Sequence, residues 1–296
     1  MGITLGLIGH GEVGGIFGRG LLGKDGVDAV WAWDLRFADA ATGEAARAAA
    51  ERDGLRVAGS MQELCSHADL LISAVTASST LAVAEEAARH ARAGSRLLDL
   101  NSASPGTKQR AAAALEAVGV AYVEAGVMTS VPPYGIRVPM LLGGAHAEAL
   151  AATLCGWGMD VRAVSDRLGV ASAIKMSRSI MIKGLEALVI ESYATARRYG
   201  VEEHVLPTLR ETFPQIDWDR QGAYFFSRVV QHGKRRAEEM REAAQTVREA
   251  GFEPLMASAI AAKQDWVATQ AREGLFDGID ASSDWQAYAD RLIGRR

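Results

Sequence analysis

The chain has 296 residues, 49% of them hydrophobic, and a net charge of −4 from 32 basic and 36 acidic side chains. Such a length allows two domains and a large core, while the slight negative charge excludes a general attraction to nucleic acid or anionic lipid, so an anionic ligand must be captured locally. No apolar run approaches the ~20 residues of a bilayer span, the apolar N-terminus lacks a basic leader, and Cys65 and Cys155 lie far apart without metal-ligand spacing, so we expect a cytoplasmic protein with packed, reduced thiols.

Ile3–Ile8 reads as a buried strand that breaks into Gly9-His10-Gly11-Glu12-Val13-Gly14, and the residues after it carry apolar side chains at helical spacing. A G-x-G-x-x-G between strand and helix is the context in which glycines let a backbone approach a pyrophosphate at a helix N-terminus. A second strand, Ala29–Trp33, ends in Asp34, twenty residues past Gly14. A carboxylate there can take the ribose hydroxyls of NAD and repel a 2′-phosphate; Arg36, two residues on, can instead cover that phosphate and favour NADP. Asp34 inclines the reading towards NAD.

A helical stretch Ala38–Asp53, a short edge strand Arg56–Ala58 and a capped helix start at Ser60 precede the buried strand Asp69–Val75. Its exit loop, with Val75 and Thr76, lies where a doubly wound sheet binds ligands. A helix Leu81–Arg92 and a strand Arg96–Leu100 lead to Asn101-Ser102-Ala103-Ser104-Pro105. The helix Gln109–Val118 and strand Val120–Glu124 precede a loop holding Thr129 and Ser130, and strands at Pro139–Leu142 and Asp160–Val164 follow. Alternating strands and helices mean a three-layer α/β, Rossmann-type dinucleotide-binding domain over residues 1–165.

Beyond Ser165 the pattern is helical. Residues 171–199 contain no proline and one glycine, enough for a helix of about 43 Å that crosses into a second domain. Glu203–Phe213, Gln221–Gly251, Pro254–Arg272 and Asp284–Ile293 read as further helices, giving an all-α domain over 166–296. None of the six histidines joins a metal-ligand cluster, so no metal is expected.

Three stretches resemble the β-hydroxyacid dehydrogenases, the superfamily of 3-hydroxyisobutyrate and 6-phosphogluconate dehydrogenases. They are Gly9–Gly14, Asp99-Leu100-Asn101-Ser102-Ala103-Ser104-Pro105, and Gly169-Val170-Ala171-Ser172-Ala173-Ile174-Lys175. The resemblance covers the first two-thirds of the chain and implies an NAD(P)-dependent oxidoreductase acting on a small, carboxylate-bearing hydroxy acid or the matching aldehyde or keto acid. It also implies a homodimer. The departures are a non-family Asn101, Thr129-Ser130 in place of two glycines, Lys175-Met176-Ser177-Arg178-Ser179 in place of K-x-x-N-N, and Ile182 where 6-phosphogluconate dehydrogenases proper carry a glutamate. Imine reductases are a chemical variant of the same plan, and a dinucleotide-binding sensor or assembly protein is the rival reading.

Within this resemblance Lys175 is the candidate acid/base. A lysine has an ordinary pKa near 10.4, so it serves at neutral pH only if its ammonium is disfavoured, and Arg178 one turn on acts in that direction. The competing role is a surface lysine with an apolar stem. Asn101 and Ser102 are candidate substrate anchors, or caps of the following helix; Asn101 is also a candidate cofactor contact. Thr129, Ser130 and Arg178 complete the expected substrate set, although Arg178 suits an interdomain ion pair equally well. Lys108 and Lys183 offer further positive charge, and Arg235 and Arg236 are expected on a solvated helix face.

Overall fold

The computed structural model describes residues 2–294. Two compact units meet in sequence between Met176 and Ser177, inside a continuous 30-residue helix. The first unit holds β1 (Ile3–Ile8), α1 (Glu12–Leu21), β2 (Val27–Trp33), α2 (Gly43–Arg52), β3 (Arg56–Val57), α3 (Met61–His67), β4 (Leu70–Ser73) and α4 (Thr80–Ala88). After these come β5 (Arg96–Asp99), α5 (Pro105–Glu116), β6 (Ala121–Val127), β7 (Met140–Gly143), α6 (Ala147–Gly156), β8 (Val161–Ser165) and the start of α7 (Val170–Tyr199). The strands form one sheet in the order β3-β2-β1-β4-β5-β6-β7-β8.

Side chains alternate across this sheet, as period-two geometry requires. Leu5, Leu7, Val30, Ala32, Leu70, Ile72, Leu98 and Val123 enter one apolar layer with Phe17 and Leu21 of α1. Ile8, Leu71, Leu97 and Tyr122 enter the opposite layer with Leu64 of α3 and Leu115 of α5. Gly6 belongs to the second face, where a Cβ would lie 2.8 Å from that of Ala68, so only glycine lets α3 approach. The arrangement is the three-layer α/β domain expected, with strands buried on both faces reading as near-continuous apolar runs.

One strand pair runs the other way. β7 is antiparallel to β6, and β8 is parallel to β7. The chain therefore leaves β8 at the edge opposite the carboxyl ends of β1, β4, β5 and β6, and α7 climbs back alongside β6. Its first N–H groups meet Glu124, and its second turn reaches Gly126.

Several element ends differ from expectation through local hydrogen bonds. α5 starts four residues early because Ser104 Oγ accepts the Thr107 N–H at 3.2 Å and Pro105 fits the first turn. The long stretch Ala38–Asp53 is helical only over Gly43–Arg52, since Asp39 Oδ1 accepts the N–H groups of Ala41 and Thr42 in a turn. Cys65 is packed, and burial pushes its thiol up to about 12, but Cys155 is exposed, which corrects the expectation of two packed thiols.

The second unit holds the rest of α7, α8 (Glu202–Thr212), α9 (Trp218–Glu249), α10 (Leu255–Arg272) and α11 (Trp285–Leu292), and its described residues contain no strand. Its core gathers Ile190, Tyr193, Phe226, Val229, Val267, Trp285 and Tyr288. Gly233 of α9 faces α10, where a Cβ would lie 2.8 Å from the Gln264 carbonyl oxygen, so the small residue sets how closely the two helices pack. No helix among the described residues is long and apolar enough to cross a membrane.

Candidate functional site

The three motif glycines meet three different demands. Gly9 has φ +95°, a conformation L side chains rarely adopt. A Cβ on Gly14 would lie 2.0 Å from the Gly9 carbonyl oxygen. A Cβ on Gly11 would meet no protein atom within 4 Å. The protein itself therefore does not require glycine at 11; an open cradle over the start of α1 does, and α1 has no side chain capping its N-terminus. Free N–H groups beside an open backbone suit a pyrophosphate. A dinucleotide fits these residues. Glu12 and Val13 form the first turn of α1, Glu12 exposed and Val13 half-buried.

The adenosine end is tightly bonded. Asp34 Oδ2 accepts the His10 N–H at 2.7 Å, and Asp34 Oδ1 accepts the Arg36 N–H at 2.9 Å and Nε at 3.1 Å. Burial works to raise the Asp34 pKa, but the hydrogen bonds and charge of Arg36 together with the His10 N–H outweigh it and hold the carboxyl below its ordinary range. A carboxyl depressed in this way contributes stability above the ordinary carboxylate range and loses it as pH falls through its folded value. The His10 imidazole is buried, with Nε2 3.2 Å from Asp53 Oδ2, which also accepts Arg19 Nη1 at 2.5 Å.

Parallel pairing brings the ends of β1, β4, β5 and β6 to one edge. Val75 and Thr76 follow β4, Asn101 and Ser102 follow β5, and Thr129 and Ser130 follow β6. Asn101 is held by its neighbours. Its side chain is buried, Oδ1 accepts the Val75 N–H at 2.7 Å and Nδ2 donates to Ser73 Oγ at 2.9 Å. These two bonds tie the amide to β4 and to the loop that follows it. Ser102 is half-buried, Thr129 exposed and Ser130 half-buried.

Lys175 stands on the second turn of α7, half-buried, its Cβ 3.5 Å from where a Cβ on Gly126 would sit. Gly126 thus clears the way for α7 to cross β6, and Lys175 joins the same edge as the loops. Arg178 lies beyond Met176, in the second unit, and is exposed.

Three groups escaped the sequence reading. Glu124, fully buried in β6, accepts the N–H groups of Gly169 at 2.7 Å, Ala171 at 3.1 Å and Ser172 at 3.3 Å, so a strand carboxylate caps α7. Below Asn101, Lys108 is no free positive charge. Its Nζ lies 2.9 Å from Asp99 Oδ1, Tyr122 donates to Asp99 Oδ2 at 2.6 Å, and burial beside that carboxylate pushes the tyrosine pKa far up. In the second unit Lys183 pairs with Glu239 at 2.7 Å, and Arg236 is buried against Glu186, not solvated. The signal available was a charge inside an apolar period, such as Glu124 in Ala-Tyr-Val-Glu-Ala-Gly-Val. Among the described residues no group of three or more His, Cys, Asp or Glu side chains could hold a metal ion.

A family model described as the NAD binding domain of 6-phosphogluconate dehydrogenase matches residues 4–153. The chain belongs to that family. A second model, a domain of unknown function called DUF1932, matches residues 196–267. The chain is similar over 100% of its length to 97% of a conserved hypothetical protein from Sinorhizobium meliloti 1021, at 36% identity and a TM-score of 0.77. It is similar over 92% of its length to 98% of a conserved protein of unknown function whose structure was described as similar to 3-hydroxyacid dehydrogenases, at 28% identity and a TM-score of 0.68. It shares its fold, at 16% identity and a TM-score of 0.69, with Mycobacterium tuberculosis 3-hydroxyisobutyrate dehydrogenase, each chain covered over 99%. The superfamily expected from the motifs is therefore the right one, and its first unit binds NAD or NADP. The family links this domain to NAD(P)-dependent oxidoreduction.

Proposed function

We propose that the protein is an NAD(P)-dependent dehydrogenase or reductase of a small hydroxy acid or its aldehyde or keto-acid partner, with Lys175 as acid/base. The observation that carries this reading is Lys175 over Gly126, at the sheet edge where the glycine loop opens. Bound nicotinamide supplies the hydride chemistry. The glycine-loop N–H groups hold the pyrophosphate, and Ser102, Thr129 and Ser130 hold the substrate carboxylate. Lys175 Nζ takes the hydroxyl proton in oxidation and returns it in reduction.

Asn101 acts in this scheme through the loop it ties, not by touching substrate. The protein works as a homodimer, a reading supported by the exposed apolar side chains of the second unit, Met181, Leu188, Leu255, Met256 and Trp266 among them.

The test is a panel of short hydroxy and keto acids with each cofactor, followed at the nicotinamide absorbance. Once a substrate is found, Lys175→Met should lower kcat by about 10²–10⁴-fold with cofactor affinity retained. Unchanged turnover in Lys175→Met would sink the assignment. No turnover with any substrate, alongside tight cofactor binding, would favour a non-catalytic sensor.

A further inference from the structure

An Asp at the end of β2 is where the two hydroxyls of an adenosine ribose would be read. Asp34 has no capacity left to read them. Oδ1 accepts the Arg36 N–H and Nε, and Oδ2 accepts the His10 N–H and Arg36 Nη2, the last at 3.2 Å. An ionised carboxylate offers about four lone-pair sites, and four donors fill them here. Arg36 Nη2 is also bonded to the His10 carbonyl oxygen at 2.7 Å, so the guanidinium is held from two sides. Its Nη1 makes no hydrogen bond among the described residues, and the side chain is 56% exposed, against 12% for Asp34.

We propose that Arg36, held in place by Asp34, makes this site select NADP(H) over NAD(H). The inference rests on the dinucleotide site described above and reverses the inclination towards NAD that Asp34 gives when read alone. The exposed Nη1, fixed beside the glycine loop by the bonds of Nε and Nη2, keeps its two N–H donors for a phosphate. Asp34 is then a positioning residue: its charge is balanced by the guanidinium it orients, so it does not repel a 2′-phosphate as a lone carboxylate would. To read a 2′-hydroxyl instead, Asp34 must first give up a bond to Arg36.

Room exists beside the guanidinium. Arg36, His10, Gly11, Glu12, Arg19 and Asp53 border a cavity of about 300 Å³. Arg19 and His10 are both engaged by Asp53 there, and Glu12 adds a negative charge, so the discrimination falls on Arg36.

The test is calorimetric titration of the purified chain with NADPH and with NADH, repeated for Arg36→Ala, Arg36→Lys and Asp34→Asn, with melting temperatures confirming that each variant is folded. Adenosine 2′,5′-bisphosphate and 5′-ADP, which lack nicotinamide, repeat the comparison without any turnover. The wild-type chain should bind NADPH at least tenfold more tightly than NADH. Arg36→Ala should lose that factor for NADPH and bind NADH as well as before or better, Arg36→Lys should recover part of it, and Asp34→Asn should weaken NADPH with little effect on NADH. Tighter binding of NADH by the wild type, equal weakening of both cofactors by Arg36→Ala, or loss of NADH alone in Asp34→Asn would overturn the proposal. Binding of neither cofactor would overturn the dinucleotide site itself, a result distinct from binding with the opposite preference.

Discussion

Gly11 and Gly14 stand three residues apart in one motif, yet the reasons for glycine differ, and substitution separates them. A methyl group at 11 meets nothing, and the backbone there is extended with negative φ. Gly11→Ala should leave the melting temperature within a few degrees and weaken cofactor binding by tenfold or more. Gly14→Ala presses on the Gly9 carbonyl oxygen and should unfold or strongly destabilise the first unit, read by thermal melting without ligand. The motif was legible in sequence because backbone geometry dictates it. The partners of Asp34, Asn101 and Lys108 were not, because a polar side chain's bonds depend on which strands adjoin: Ser73 and Asn101 meet only because β4 pairs with β5.

Among elements, α7 depends on a group supplied by a strand. The N–H of Gly169 just before it and those of Ala171 and Ser172 in its first turn end on Glu124, whose carboxylate has no water-exposed surface. Glu124→Gln removes the charge and turns an NH₂ towards donors, which should cost about 1–3 kcal/mol by urea unfolding of the native chain. The same change should also lower activity, because the helix carrying Lys175 is seated by that cap. Periodicity over 171–199 revealed the helix to within a residue, and the α9 and α10 helices nearly as well. It could not reveal that Arg236 and Lys183 turn inward, since a charged stripe facing another charged stripe has the same period as a solvated one. Arg236→Met, which leaves Glu186 buried with its pairing to Arg236 gone, should destabilise the second unit by about 3–5 kcal/mol.

At the scale of the whole molecule, composition and the alternation of strands and helices were enough to foresee an α/β unit followed by a helical one. The homodimer reading predicts that sedimentation gives the mass of two chains, and that charged substitutions at Met181 and Leu188 shift it to one; a monomeric wild type would refute it. The sequence gives no sign of the direction of β7, since a four-residue apolar strand reads alike in either sense.

That reversal has a consequence best put as parity. Each strand fixes a heading, and the heading of α7 is set by how many times the chain has turned about since β6. With one antiparallel step, the helix sets out from the far edge and carries Lys175 up to the rim where the glycine loop opens. With none, or with two, it would set out from that rim and carry the lysine away from it. Between Val127 and Gly169, then, the chain can lengthen or shorten its loops, or gain and lose strands joined by parallel crossovers as β7 is to β8, but a single reversal of heading added or removed would point the amine at the wrong side of the sheet.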